Sequence, residues 1–383
     1  MKLAELDRAT EIFAVSQDLT VGIEEEFAIL EPGTLDLVPR FETLRDTAKD
    51  SDPVLHEHIT GELIASEIEI ISGRGEDVHD AVRRQRDRRR RLFAHAQAND
   101  AVLGATGTHP WADYRHQPII DTEHYRRVEA GLQYAAWRNN TFSLHVHVGV
   151  RGADRAIRIC DRLRPVLPLL LALSANSPYV DGRPAGLHSA RSQIFTRSFP
   201  RCGVPDVFGG WQAYRDYVAF LIKTRSIVEF TQVWWSIRPH FSFGTVEVRI
   251  CDAQSTAGEA DALTELIVAC VAQAGRDIDD GLPHADEPAR LIEENMWRAI
   301  RYGLDGRMID LARAEEYPAA EIGERLLDWT APVRAELGLE PALAEANGAQ
   351  RQHRMIETGA SMEDVYASVV RETRETYSQE VRA

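Results

Sequence analysis

The sequence predicts an α+β protein whose strands gather in its first two thirds and whose helices complete it. Three observations lead there. The segment SLHVHVGV at 143–150 alternates strictly between apolar and polar residues, the period of a half-buried strand. Strand-like segments at 21–30, 62–72, 101–106, 226–237 and 243–252 all lie before residue 253. Beyond 257 the pattern is helical almost to the end, with breaks near 281–288 and at Pro318 and Pro332. No internal repeat or low-complexity linker divides the chain, so one domain is expected over 1–383, with sheet-forming motifs at 20–255 and a helical part at 257–383.

Taken in order, residues 1–20 form a short lead-in before the first strand, VGIEEEFAIL. The stretch 76–99 reads as a helix, and its arginine run as a solvated face with interspersed acids rather than a nucleic-acid patch. A loop at 107–118 and a helix at 121–138 precede the HVHV strand. A helix over 154–176 ends at Asn176 and Pro178. Residues 177–210, rich in Gly, Pro, Ser and Arg, are loops with one short helix, and another helix covers 211–223.

Strand parity carries the functional argument, because alternate side chains point to opposite faces. Gly22, Glu24 and Glu26 share one face of the first strand, and Ile23, Glu25 and Phe27 the other. Glu67 and Glu69 stand opposite Ile68 and Ile70; His145 and His147 stand opposite Leu144, Val146 and Val148; Glu247 and Arg249 stand opposite Val246, Val248 and Ile250. Side by side, these polar faces gather more carboxylates than can ionise together without cations. Carboxylates with an occasional imidazole suit magnesium or manganese. Arg249 is placed to meet an anion such as phosphate. Glu25 falls on the wrong face for metal and is expected to pair with an arginine, whereas Glu67 stays open between ligand and support. Alone, the HxH pair is equally a zinc half-site, a magnesium ligand or a packed polar pair.

Composition narrows the class. A net charge of -16 over 383 residues argues against a general nucleic-acid binder. No GxxxxGK[ST] occurs, which excludes a P-loop. Cys160, Cys202, Cys251 and Cys270 are scattered without a CxxC pair, as in reduced thiols of a cytoplasmic protein. The N-terminal residues do not read as a secretory signal, and the most apolar run, VLPLLLALSA, is too short to span a bilayer.

The motifs GIEEEF, LHVHVGV, LALSANSP, SARSQIF and WWSIRPHFSFGTVEVRICDAQ follow one another between residues 20 and about 275. Together they resemble the second glutamate–cysteine ligase family, the carboxylate–amine ligases. The resemblance implies a curved, largely antiparallel sheet wrapped by helices, similar to the catalytic domain of glutamine synthetase. It implies an ATP-dependent ligase that joins the γ-carboxyl of glutamate to the amine of cysteine, or of another acceptor, through a γ-glutamyl phosphate. By position in the motifs it assigns Glu24, Glu26, Glu69 and Glu247 to magnesium or manganese, with His145 or His147 beside them. It assigns Arg249 to phosphate, Arg238 to phosphate or substrate, and Arg191 to a substrate carboxylate. Ser143 departs from the family pattern, which has glycine before LHVHVG, and close packing there is expected to change. The partners implied are small molecules, with no nucleic acid and no membrane; a homo-oligomer stays open. A metal-dependent hydrolase and a non-catalytic binding protein are the readings that compete with a ligase.

Overall fold

The structure, a computed structural model, describes residues 3–379. Its strands in chain order begin with β1 (Val21–Leu30), β2 (Ile59–Thr60), β3 (Glu67–Ile71), β4 (Val102–Gly104) and β5 (Ser143–Gly149). A small hairpin, β6 (Tyr179–Val180) and β7 (Arg183–Pro184), precedes β8 (Ile237–His240) and β9 (Thr245–Asp252). A second hairpin, β10 (Arg307–Asp310) and β11 (Glu315–Pro318), comes last. The main sheet runs β2–β3–β1–β5–β9–β8, with β4 also paired to β1. Every pairing in it is antiparallel. This is the α+β architecture that the sequence predicts.

Helices cover the apolar face. Val146, Val148, Val246, Val248 and Ile237 pack into one core with α7 (Ala153–Leu163), α8 (Leu167–Ser174), α10 (Trp211–Lys223) and α11 (Ala257–Asp279). α1 (Leu3–Val15), α12 (Ala289–Tyr302) and α13 (Ala319–Leu337) close its outside. A second core lies under β1 and β3, where Phe27, Ile29, Ile68 and Ile70 meet α2 (Phe41–Ser51), α3 (Pro53–His56) and α4 (Val78–Ala98). Phe27 meets Phe93 of α4 and Tyr377 of α15 (Met362–Tyr377) edge-on, with ring centroids 5.4 and 5.3 Å away, a favoured aromatic geometry.

The arginine-rich α4 is laced by acids as expected: Arg83 and Arg84 meet Asp80, and Arg90 and Arg91 meet Asp87. Arg89 differs, because it turns inward and is 1% exposed. Its guanidinium forks onto Glu25, 2.6 and 2.9 Å away, and reaches Asp261 of α11 at 2.7 Å. Glu25 therefore has the arginine partner predicted for it.

Several boundaries differ from the sequence reading. Residues 62–66 lie outside the strand expected at 62–72, and β3 begins at Glu67. The stretch 226–236 is a loop with a short 3-10 turn at Phe230–Gln232, so β8 starts only at Ile237. The expected helix over 154–176 divides into α7 and α8 around Arg164–Val166, where Pro165 and Pro168 cannot donate backbone hydrogen bonds. Gln133, at a φ of 48°, divides the helix at 121–138 into α5 (Glu123–Leu132) and α6 (Tyr134–Arg138). Past residue 257 the hairpin β10–β11 interrupts the helices, whereas Pro332 stays inside α13 instead of ending it. Pro318 does mark a boundary, as the residue preceding α13. No described helix is long and apolar enough to cross a membrane.

A buried imidazole gives the fold an acid limit. His109 Nδ1 accepts from the backbone N–H groups of Trp111 and Ala112, at 3.3 and 3.0 Å, and Nε2 lies 2.7 Å from the Leu35 carbonyl. Burial pushes this imidazole down to about 4. The unfolded chain takes up a proton near pH 6.5, so between these values the unfolded state binds more protons and stability drops as pH falls. The contribution is full above that window and costs about 3 kcal/mol at its acid end. The urea midpoint should therefore fall from pH 6.5 to pH 4, and less steeply in a His109→Gln variant. An unchanged slope would contradict this role.

Candidate active site

The strand registers bring the predicted polar residues together. Glu26 sits opposite Glu69, and Glu24 opposite His145. His147 sits opposite Glu247, which in turn faces Arg238. A bulge between Leu144 and Val146 shifts the register of β5 against β9 within this row. These residues form the floor of a cavity of about 240 Å³. Its far wall comes from α9 (Ala190–Ser198) and the loop before β8, and its near wall from the β2–β3 connection and α5.

Glu24 is the hub. Its Oε2 lies 3.2 Å from His145 Nδ1, and its Oε1 lies 3.1 Å from His147 Nε2. Both histidines thus face the same carboxylate, and both belong to the site. Burial would raise Glu24, but the charge of the facing His147 and the hydrogen bond with His145 hold its carboxyl well below the usual range. Burial likewise lowers His145, helped by Arg249, while Glu24 and Glu247 raise His147 against its burial. Glu247 is wholly buried, yet Arg238 and Arg249 hold its carboxyl well below the usual range.

Glu69, Glu67 and Glu62 are shifted the opposite way. Burial and then Glu24 push Glu69 well up, and burial and then Glu26 do the same to Glu67. Glu62, from the connection before β3, is pushed up to about 8 by burial and then by Glu26. The strand expected over 62–72 puts Glu62 on the face of Ile68 and Ile70, away from Glu67 and Glu69, so the sequence missed this residue; in the structure 62–66 is a connection that parity does not govern.

Three sets of donor atoms lie within 4.8 Å of one another: Glu24 with Glu69 and His145, Glu24 with His147 and Glu247, and Glu26 with Glu62 and Glu69. His147 Nε2 is buried without a hydrogen-bond partner among the described residues, 3.1 Å from Glu24 and 3.9 Å from Glu247. An orphaned imidazole nitrogen between two carboxylates, in an oxygen-rich donor set, fits hard divalent cations. Ser143, the departure from the glycine pattern, is 3% exposed and donates to Glu26 Oε2 at 2.6 Å. Its hydroxyl also lies 2.8 Å from His145 Nε2. A glycine could make neither contact.

The three arginines differ in freedom. Arg238 spends its fork on Glu247 (2.7 and 3.2 Å) and on the carbonyls of Thr231 and Val233 (2.9 and 2.7 Å). Arg249 contacts Glu247 through Nη1, while its buried Nε has no partner among the described residues. Arg191 lies on α9, which Ser189 caps by accepting from Ser192 N at 3.1 Å. It donates to the carbonyls of Ile250 and Arg249 at 3.1 and 3.2 Å, and its buried Nε is likewise unpaired. Arg191 and Arg249 both line the cavity and bring cationic charge to it.

This geometry coincides with a family match over nearly the whole chain: residues 20–381 fit the profile of glutamate–cysteine ligase family 2. The chain belongs to that family. It is 37% identical over 367 residues to a provisionally named glutamate–cysteine ligase 2 of Solibacter usitatus, covering 94% of each chain. It is also 37% identical over 357 residues to one of Rubrobacter xylanophilus, covering 93% of this chain and 91% of that one. Two solved structures share the fold. A glutamate–cysteine ligase from Francisella tularensis, in complex with AMP, superposes with a TM-score of 0.66 at 11% identity, covering 95% and 91% of the two chains. A bifunctional glutathione synthetase from Pasteurella multocida gives 0.67 at 13% identity, covering 98% of this chain and 54% of that one. The protein is thus a carboxylate–amine ligase of the glutamate–cysteine ligase type.

Proposed function

We propose that the protein uses ATP and magnesium (or manganese) to activate the γ-carboxylate of glutamate as an acyl phosphate, which the amine of cysteine then attacks. The observation that carries this reading is the cavity floor: five carboxylates and the imidazoles of His145 and His147 on one sheet face, with Glu62 reaching in from the connection before β3, beside two arginines with unpaired N–H groups. Bound divalent ions would neutralise the phosphate oxygens and the charge moving between them. A carboxylate is a poor electrophile, and this site is built to activate it with cations rather than with a nucleophile from the protein.

The chain's own residues divide the remaining work. Glu24, Glu26, Glu62, Glu69 and Glu247, with His145 and His147, would hold the ions. Ser143 fixes one oxygen of Glu26 through its hydroxyl. Arg249, which lines the cavity, meets the transferring phosphoryl group. Arg191 reads a carboxylate of the amino-acid substrate. Arg238 positions Glu247 and pins the loop carbonyls of Thr231 and Val233 instead of contacting phosphate, since its donors are already engaged.

A second cavity of about 370 Å³ opens beyond Glu24 and His147, lined by Val21, Ile23, Ile71 and the 59% exposed ring of Phe243. Its apolar walls beside the ion-holding floor suit a nucleotide base whose phosphates reach the carboxylates. The glutamate and amine then enter from the α5 and α9 side.

The test is phosphate release from ATP with glutamate and magnesium, adding amino acids one at a time. Release stimulated by cysteine, with γ-glutamylcysteine found by mass, is the expected result. Stimulation by a different amine would keep the mechanism and replace the acceptor; no turnover with any amine would refute the ligase. Arg249→Lys should lower kcat by about 10²-fold, because a point charge cannot reproduce the planar fork between Glu247 and phosphate. Normal phosphoryl transfer in that variant would remove Arg249 from this role.

A further inference from the structure

An amino acid arrives as an ammonium ion, whose nitrogen has no free electron pair; a proton must leave before attack. The groups on the cavity floor are poorly suited to take it. Its imidazoles and most of its carboxylates belong to the three donor sets, and arginine cannot act as a base. Tyr125 donates its hydroxyl to the Gly61 carbonyl. His240 is buried with its ring stacked on Phe243, 4.4 Å between centroids. Glu67 is 2% exposed and interacts with the Glu26 carboxyl.

His124 stands apart from these. It lies in the first turn of α5, which Thr122 caps by accepting from Tyr125 N at 3.2 Å. Its side chain is 44% exposed and lines the outer end of the main cavity. Nδ1 is 2.8 Å from Glu229 Oε1, which belongs to the loop before β8 on the facing wall. A carboxylate at Nδ1 favours the tautomer with its proton there and leaves the Nε2 electron pair as acceptor. No partner for Nε2 occurs among the described residues.

We propose that His124, oriented by Glu229, is the general base for the acceptor amine; the assignment rests on the ligase reading. Nε2 takes one ammonium proton. The freed electron pair forms the C–N bond at the acyl carbon, and the bond from that carbon to the phosphate oxygen breaks with its electrons leaving on phosphate. The second nitrogen proton departs on the phosphate, as hydrogen phosphate. Glu229 stabilises the imidazolium, and the exposed position lets water take the proton away.

The test compares two acceptors on the full chain with ATP, magnesium and glutamate. One is the amino acid that the parent uses. The other is hydroxylamine, which is already neutral at neutral pH and needs no base. His124→Gln should cut turnover with the amino acid by about 10²-fold or more while hydroxamate formation stays within about threefold of the parent. Glu229→Gln should lower only the amino-acid reaction, by about tenfold. Equal losses with both acceptors, in either variant, would mark a structural role and overturn the proposal, as would undiminished turnover of the amino acid in His124→Gln. A parent that turns over ATP with neither acceptor would instead sink the ligase reading itself, and this assignment with it.

Discussion

Glu24→Gln should lower turnover by at least about 10³-fold, equivalent to about 4 kcal/mol of transition-state stabilisation, while leaving the thermal midpoint nearly unchanged. Glu24 belongs to two of the three donor sets and faces both histidines, so its charge serves more of the site than any other. Its side chain is 21% exposed, and the amide is isosteric, so the fold should tolerate the change. The measurement pairs steady-state kinetics with a thermal melt; activity within tenfold of the parent would contradict the role given to the acidic floor. Glu247 is the poorer position for this test. It is fully buried between Arg238 and Arg249, and neutralising it would strand two cations away from water.

Arg89→Met should destabilise the protein by about 3–5 kcal/mol, because it leaves Glu25 and Asp261 buried without their shared cation. Glu25 lies between two residues of the acidic floor, and Tyr377 in the last turn of α15 closes the same cluster, its hydroxyl 2.9 Å from the Gln254 carbonyl and 3.3 Å from Glu25. The loss should therefore reach activity as well as folding. Arg89→Lys should recover little of it, since one ammonium cannot bridge both acids with the fork's geometry. Urea unfolding reads the effect, and a change below about 1 kcal/mol would mean the triad is not holding β1 to its helices.

The acidic floor was legible because a sheet turns two-residue parity into a shared face. Glu24, Glu26, Glu69, His145, His147 and Glu247 declare that face in three separate strands and a fourth that pairs with them. Glu25 was legible for the same reason, by falling on the opposite side. Glu62 was not, because it reaches the floor from a connection whose path tertiary packing decides. The engagement of Arg238 was also hidden: its partners, the Thr231 and Val233 carbonyls, depend on the loop that replaces the strand expected at 226–237. His124 and Glu229 lie more than a hundred residues apart and meet only because α5 and that loop face each other across the cavity mouth. The β10–β11 hairpin went unseen where short polar strands resemble an amphipathic helix in composition.

The most direct measurement follows an oxygen atom. Glutamate labelled with heavy oxygen in its γ-carboxylate would be turned over with ATP, magnesium and the acceptor amine, and the released phosphate weighed. Activation as an acyl phosphate predicts one labelled oxygen in each phosphate formed. Amide formation with unlabelled phosphate would contradict the account at its centre.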